Sequence, residues 1–183
     1  VETGTFQSTR IRVAEWGLAD NTHELTKAAA ALARGAADRF TAQDGRPRFV
    51  AGSMGPTGKL PSSDDPALSD ITFDELVALF EEQGAALIDG GADVLLIETS
   101  QDILEVKAAI VGCKQAIAAA SRPVALQAQV TLDVSGRMLL GTDIASSLTT
   151  IEALHVDVVG LNCSTGPEHM REPIRYLTTH TTL

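Results

Sequence analysis

Apolar runs recur along the chain at 1–6 (VETGTF), 48–54 (RFVAGSM), 93–98 (DVLLIE), 123–130 (PVALQAQV) and 156–161 (VDVVGL), and a segment of helical period follows each of them. Such alternation predicts β/α units, and the nearly continuous apolar character of the central runs predicts parallel strands covered on both faces. In the first helix Leu25, Ala29, Leu32, Ala36 and Phe40 fall on one stripe, with Asn21 and Glu24 spaced as a capping box. A second box, Thr72 with Glu75, leads into Phe73, Leu76, Val77, Phe80, Leu87 and Ile88. Ile103, Val106, Ile110, Cys113 and Ile117 repeat at three and four, as do Ile144, Leu148, Ile151 and Leu154. Gly166 and Pro167 open the last helix, and Pro173 predicts that it is short or kinked.

Five units without a linker, a repeat or a charge block predict one layered α/β domain over residues 1–183. Two closures satisfy the pattern: an open doubly wound sheet complete at five strands, or a (β/α)8 TIM barrel needing about three more. The chain opens inside a β-branched run and ends on THTTL, which favours a fragment of the barrel, about five β/α units cut from a longer polypeptide.

Composition narrows the function classes. With 14 Lys+Arg against 24 Asp+Glu the net charge is −10, unsuited to a phosphate backbone, so no nucleic acid is expected as partner. No run reaches the roughly 20 apolar residues of a membrane span. Two cysteines without a CxxC pair exclude a disulfide framework and fit a reducing, cytoplasmic setting.

In either closure the site forms at the carboxyl ends of the strands. The polar residues expected there are Glu2, Thr3 and Thr5; Ser53 and Thr57; Glu98 and Thr99; Gln127, Gln129 and Thr131; and Asn162, Cys163 and Ser164. Glu98 ends an apolar run, where a carboxylate needs a cation or hydrogen bonds; it either grips an ammonium group, acts as a base, or accepts N–H bonds at the next helix. Cys163 precedes the turn-rich STGP and is either a cleft thiol or a small buried hydrophobe, whereas Cys113 belongs to a helix stripe. GSMGPTGK fails as a phosphate loop, since five residues separate Gly52 from Gly58 and Leu60 follows Lys59. No lysine stands at a strand end for Schiff-base chemistry, and the four histidines are scattered. Residues 55–71 make a long βα connection, of the kind that serves as a lid, a docking loop or a solvated excursion.

Taken together, VETGTF, FVAGSMGPTGKLPS, GGADVLLIETSQD and VVGLNCSTGP resemble the zinc-dependent homocysteine S-methyltransferase family, with GPTGKLPS leaning toward its cobalamin-dependent branch. The resemblance runs nearly end to end. It implies a (β/α)8 barrel that presents the thiol of homocysteine to a methyl donor, with Zn2+ held by three cysteines, of which Cys163 matches the first. The adjacent Cys-Cys pair that supplies the other two is absent from this sequence. It further implies Glu98 as partner of the substrate ammonium group and Asn162, Ser53, Glu2 and Thr3 as residues shaping the substrate pocket. Methylcobalamin and folate would be brought by other domains of the same polypeptide. Two alternatives remain: a cobalamin-independent enzyme using a sulfonium or betaine donor and, if the chain is complete as given, a non-catalytic α/β binding module.

Overall fold

The computed structural model describes residues 1–183. Four strands, β1 (Ala51–Met54), β2 (Val94–Ser100), β3 (Ala125–Val130) and β4 (Val158–Leu161), form one parallel sheet in the order β1-β2-β3-β4. The helices are α1 (Arg10–Val13), α2 (Thr22–Asp44), α3 (Phe73–Asp89), α4 (Ile103–Ala119), α5 (Ile144–Glu152) and α6 (Pro167–His180). Each strand is thus followed by a helix. A doubly wound sheet reverses its strand order at a switch point, and this sheet does not, so the arrangement is an arc of a barrel.

The first expected strand is reduced to one parallel bridge, Glu2 with Ala51. Backbone bonds tie it to Ala51 (Ala51 N–H on the Val1 carbonyl, Thr3 N–H on the Ala51 carbonyl), and beyond them side chains take over: Thr3 Oγ1 accepts the Ser53 N–H at 3.0 Å, and Thr5 Oγ1 donates to the Ser53 carbonyl at 2.7 Å. The chain then turns, with Ser8 N–H on the Thr5 carbonyl. Four strands and this bridge occupy the places of the five expected units.

Alternation along the strands gives the sheet two unlike faces. Met54, Leu95, Ile97, Leu126, Ala128 and Val130 are buried in the main core with Leu76, Phe80, Leu87, Val106, Ile110 and Cys113 of α3 and α4. The opposite face carries Ser53, Leu96, Glu98, Gln127 and Gln129, so the strands are not apolar on both sides as expected. Polar side chains there point inward to the barrel and set up the site.

The Thr72–Glu75 capping box is present, both halves formed. The one at Asn21 is not: a 3-10 turn over Ala19–Asn21 runs directly into α2, leaving Asn21 without the extended backbone that folds a cap back. On α2 the buried residues are Thr22, Thr26, Ala30 and Ala37, while Leu25, Leu32 and Phe40 are exposed. Pro173 does not end α6, which runs on to His180 with Pro167 in its first turn.

Helices α3 and α4 meet at Gly112, where a Cβ would lie 2.4 Å from the Val77 carbonyl oxygen and 2.8 Å from the Glu81 nitrogen. Backbone cannot yield as a side chain can. Gly112→Ala is therefore expected to destabilise the fold by about 3 kcal/mol, at the upper end of ordinary overpacking, as read by urea denaturation.

Candidate functional site

The site lies where β1, β2 and β4 end. In the pairing of β2 with β3 the register shifts between Ile97 and Ser100, and within that bulge Thr99 takes a left-handed backbone at φ 59°. Bulges re-aim side chains, and here Glu98 turns toward the ends of the neighbouring strands. Glu98 is 9% exposed. Ser53 Oγ donates to its Oε1 at 2.6 Å and Asn162 Nδ2 to its Oε2 at 3.0 Å. Burial raises its carboxyl above the ordinary range; the Ser53 hydrogen bond opposes this, and the nearby Glu2 carboxylate raises it further. No lysine or arginine pairs with Glu98, so two carboxylates share this end of the sheet without a cation.

Asn162 joins the strands. Its Oδ1 accepts the Thr99 N–H at 2.9 Å, and its Nδ2 reaches Glu98 Oε2, Thr99 Oγ1 at 2.8 Å and Cys163 Sγ at 3.4 Å. Thr131 Oγ1 donates to the Asn162 carbonyl, fixing it to the end of β3. Cys163 and Ser164 both stand at φ 60°, so the chain leaves β4 in two left-handed steps that leave the thiol exposed. Non-glycine residues held in that region carry local strain, and such positions cluster at functional sites. The Sγ lies 3.5 Å from Thr99 Oγ1.

The residues singled out in the sequence thus divide. Ser53, Glu98, Asn162 and Cys163 form one hydrogen-bonded group, with Glu2 acting on Glu98 from the adjoining segment. Thr3 stands behind them, 5% exposed, its hydroxyl bonded to Thr5 Oγ1 and the Ser53 N–H. Thr99, which the sequence offers only as one of the strand-end residues, touches both Asn162 and the thiol. The one signal in the sequence was its place beside Glu98.

The metal that the family resemblance implies can be tested against the donors present. Cys163 is the single soft donor at the site, and no group of three or more His, Cys, Asp or Glu in the chain could hold a metal ion. A three-thiolate centre does not fit the residues of this chain alone. No helix is long and apolar enough to cross a membrane.

Comparison with known proteins bears on the family and the fold. The methionine synthases of Mycobacterium tuberculosis (strain ATCC 25618 / H37Rv) and Mycobacterium leprae (strain TN) are 40% and 38% identical to the chain over 180 residues, which is 98% of its length. The chain spans only 15% and 14% of those proteins. Among solved structures, the homocysteine methyltransferase MmuM from Escherichia coli superposes in its metallated form with a TM-score of 0.81 at 22% identity, covering 98% of this chain and 62% of that one. Its apo form gives 0.69, also at 22% identity, over 88% of this chain and 57% of that one. At that identity the likeness is one of fold, a partial TIM barrel. The homocysteine S-methyltransferase family model matches residues 1–183, and the chain belongs to that family.

Proposed function

We propose that the chain is the homocysteine-binding part of a methionine synthase, in which the substrate thiol is activated for methyl transfer from methylcobalamin. One observation carries the reading: a single amide nitrogen, Asn162 Nδ2, touches both the Glu98 carboxylate and the Cys163 sulfur. A site built this way suits a short amino acid bearing a thiol. Its ammonium group would supply the cation that Glu98 and Glu2 lack, and its sulfur would stand beside Cys163. Ser53 and Asn162, each donating to one oxygen of Glu98, fix the carboxylate's orientation before substrate arrives. Cys163 would give one thiolate to Zn2+, with two further cysteines from elsewhere in a longer polypeptide, and the ion, when bound, lowers the pKa of the substrate thiol. The methyl donor and folate would come on other domains of that polypeptide; the 40% identity to a protein named methionine synthase supports this choice.

The test is Glu98→Gln in the complete polypeptide. Loss of a charge-assisted contact of about 1.5–3 kcal/mol should raise KM for homocysteine roughly 10- to 100-fold. The thiol acid that lacks the amino group should be bound equally by both proteins. An unchanged KM for homocysteine, or an equal loss with both compounds, would remove Glu98 as the ammonium partner. Turnover of methylcobalamin, against a sulfonium or betaine, separates the donors.

A further inference from the structure

The loop between β1 and α3, residues 55–71, is fastened to the first turn of α4 at two points, and both fasteners are buried carboxylates. Asp102, 1% exposed, caps α4 through the Leu104 N–H. It also accepts the Ser62 N–H at 2.8 Å and the Ser62 hydroxyl at 2.7 Å. Glu105, also 1% exposed, accepts the Thr57 N–H at 2.8 Å and the Thr57 hydroxyl, both on Oε1. Between and beyond these points the loop closes on itself, with Leu60 N–H on the Leu68 carbonyl at 2.8 Å and Lys59 paired with Asp70. It is therefore a compact body held by two clips rather than a slack excursion.

The clips are chemically unlike. Both Asp102 oxygens are satisfied, by the Ser62 N–H and hydroxyl from the loop and by the Leu104 N–H, and the group stands at the N-terminus of α4, where negative charge is favoured. Glu105 uses one oxygen, and its Oε2 is buried without any partner. Of the elements packed on α4, namely α3, α5, β2 and β3, none turns a charge on Glu105; the charge acting on it is Asp102, of like sign. The loop's one cation, Lys59, is taken by Asp70. Burial outweighs the two Thr57 hydrogen bonds, which favour the carboxylate, and with the like charge of Asp102 it keeps the proton on Glu105.

We propose that the Glu105–Thr57 contact is a proton-dependent latch, closed while Glu105 is the neutral acid and released on ionisation, with Ser62 remaining on Asp102 as the hinge. Ionised Glu105 gains by reaching water, and the movement takes it off Thr57. Burial pushes the Glu105 carboxyl up to about 7, which sets the change in the neutral range. Thr57 lies four residues after Ser53, the donor to Glu98, so the latch governs the backbone immediately beyond the site. The proposal stands independently of the function proposed for that site.

Native-state hydrogen exchange tests it, with rates corrected for intrinsic chemistry. Between about pH 6 and about pH 8.5 the Thr57 amide should lose roughly 10-fold in protection while the Ser62 amide keeps its own. In Glu105→Gln the Thr57 protection should be the same at both pH values. Should that variant not fold, Thr57→Val leaves the carboxylate in place and removes one donor, and the amide at 57 should then be weakly protected even at the lower pH. Equal Thr57 protection at both pH values in the unmodified chain, a persisting fall in Glu105→Gln, or an unaltered profile in Thr57→Val would overturn the latch.

Discussion

Replacing Cys163 by alanine in the complete polypeptide is expected to lower methyl transfer to homocysteine by more than about 100-fold, since even outer partners of metal ligands are worth 10- to 100-fold. Zinc content should fall with it. The melting temperature should not, because Cys163 is exposed and its sulfur is bonded to the Thr99 hydroxyl and the Asn162 amide alone, both at 3.4 Å or more. Cys113→Ala is the control. Its thiol is fully buried against the Met54 sulfur at 3.6 Å, and burial raises its pKa far from any reactive range. That variant should cost about 1 kcal/mol of stability and leave zinc and turnover alone. Retention of both zinc and activity in Cys163→Ala would remove the thiol from the site.

The second large effect is on folding. Burial pushes the Glu105 carboxyl from the ordinary carboxylate range up to about 7, and Glu98 is raised too, also by burial. A group whose pKa is raised by folding contributes stability that is complete below its unfolded pKa and is lost as pH rises through the folded one. Between about pH 5 and about pH 9 the folding free energy should therefore fall by about 3 kcal/mol, at 1.36 kcal/mol per unit. The carboxylates held low, Asp44, Asp70, Glu75, Asp133 and Asp143, act in the opposite sense but below this window. Urea denaturation at the two pH values reads the difference, and Glu105→Gln should abolish most of it. A stability that is flat or rises across the window would contradict the burial of Glu105.

How far these features were legible in the sequence depends on whether local pattern or long-range geometry decides them. The central strands and the Thr72 capping box follow from local pattern and are present. Helix α2 shows the limit: its larger apolar residues suggested a buried stripe at Leu25, Leu32 and Phe40, yet the face inside is built of threonine and alanine. Close approach is the reason, because a Cβ on Gly90 would come within 2.5 Å of the Ala30 Cβ and of the Lys27 carbonyl oxygen. Small residues face such a contact and large ones turn away. The opening segment differs in another way: its backbone pairs with β1 only around Ala51, and at Ser53 the partners are threonine hydroxyls.

At the site, Glu98 and Cys163 could be picked out because each ends an apolar run. That Asn162 spans them, or that Thr99 stands between, depends on the register of strands more than sixty residues apart. Glu105 was hidden for a related reason: in sequence it is a polar residue beside an apolar helix stripe. Its hydrogen-bond partner, Thr57, lies 48 residues earlier, in the loop after β1.

The central claim is that Cys163 and the substrate sulfur meet at one zinc ion, and zinc K-edge X-ray absorption on the complete polypeptide reads it most directly. Three sulfurs at about 2.3 Å are predicted without homocysteine and a fourth with it, and Cys163→Ala should lose one. A zinc-free protein, a sulfur count that homocysteine does not change, or an unaltered shell in Cys163→Ala would contradict the account.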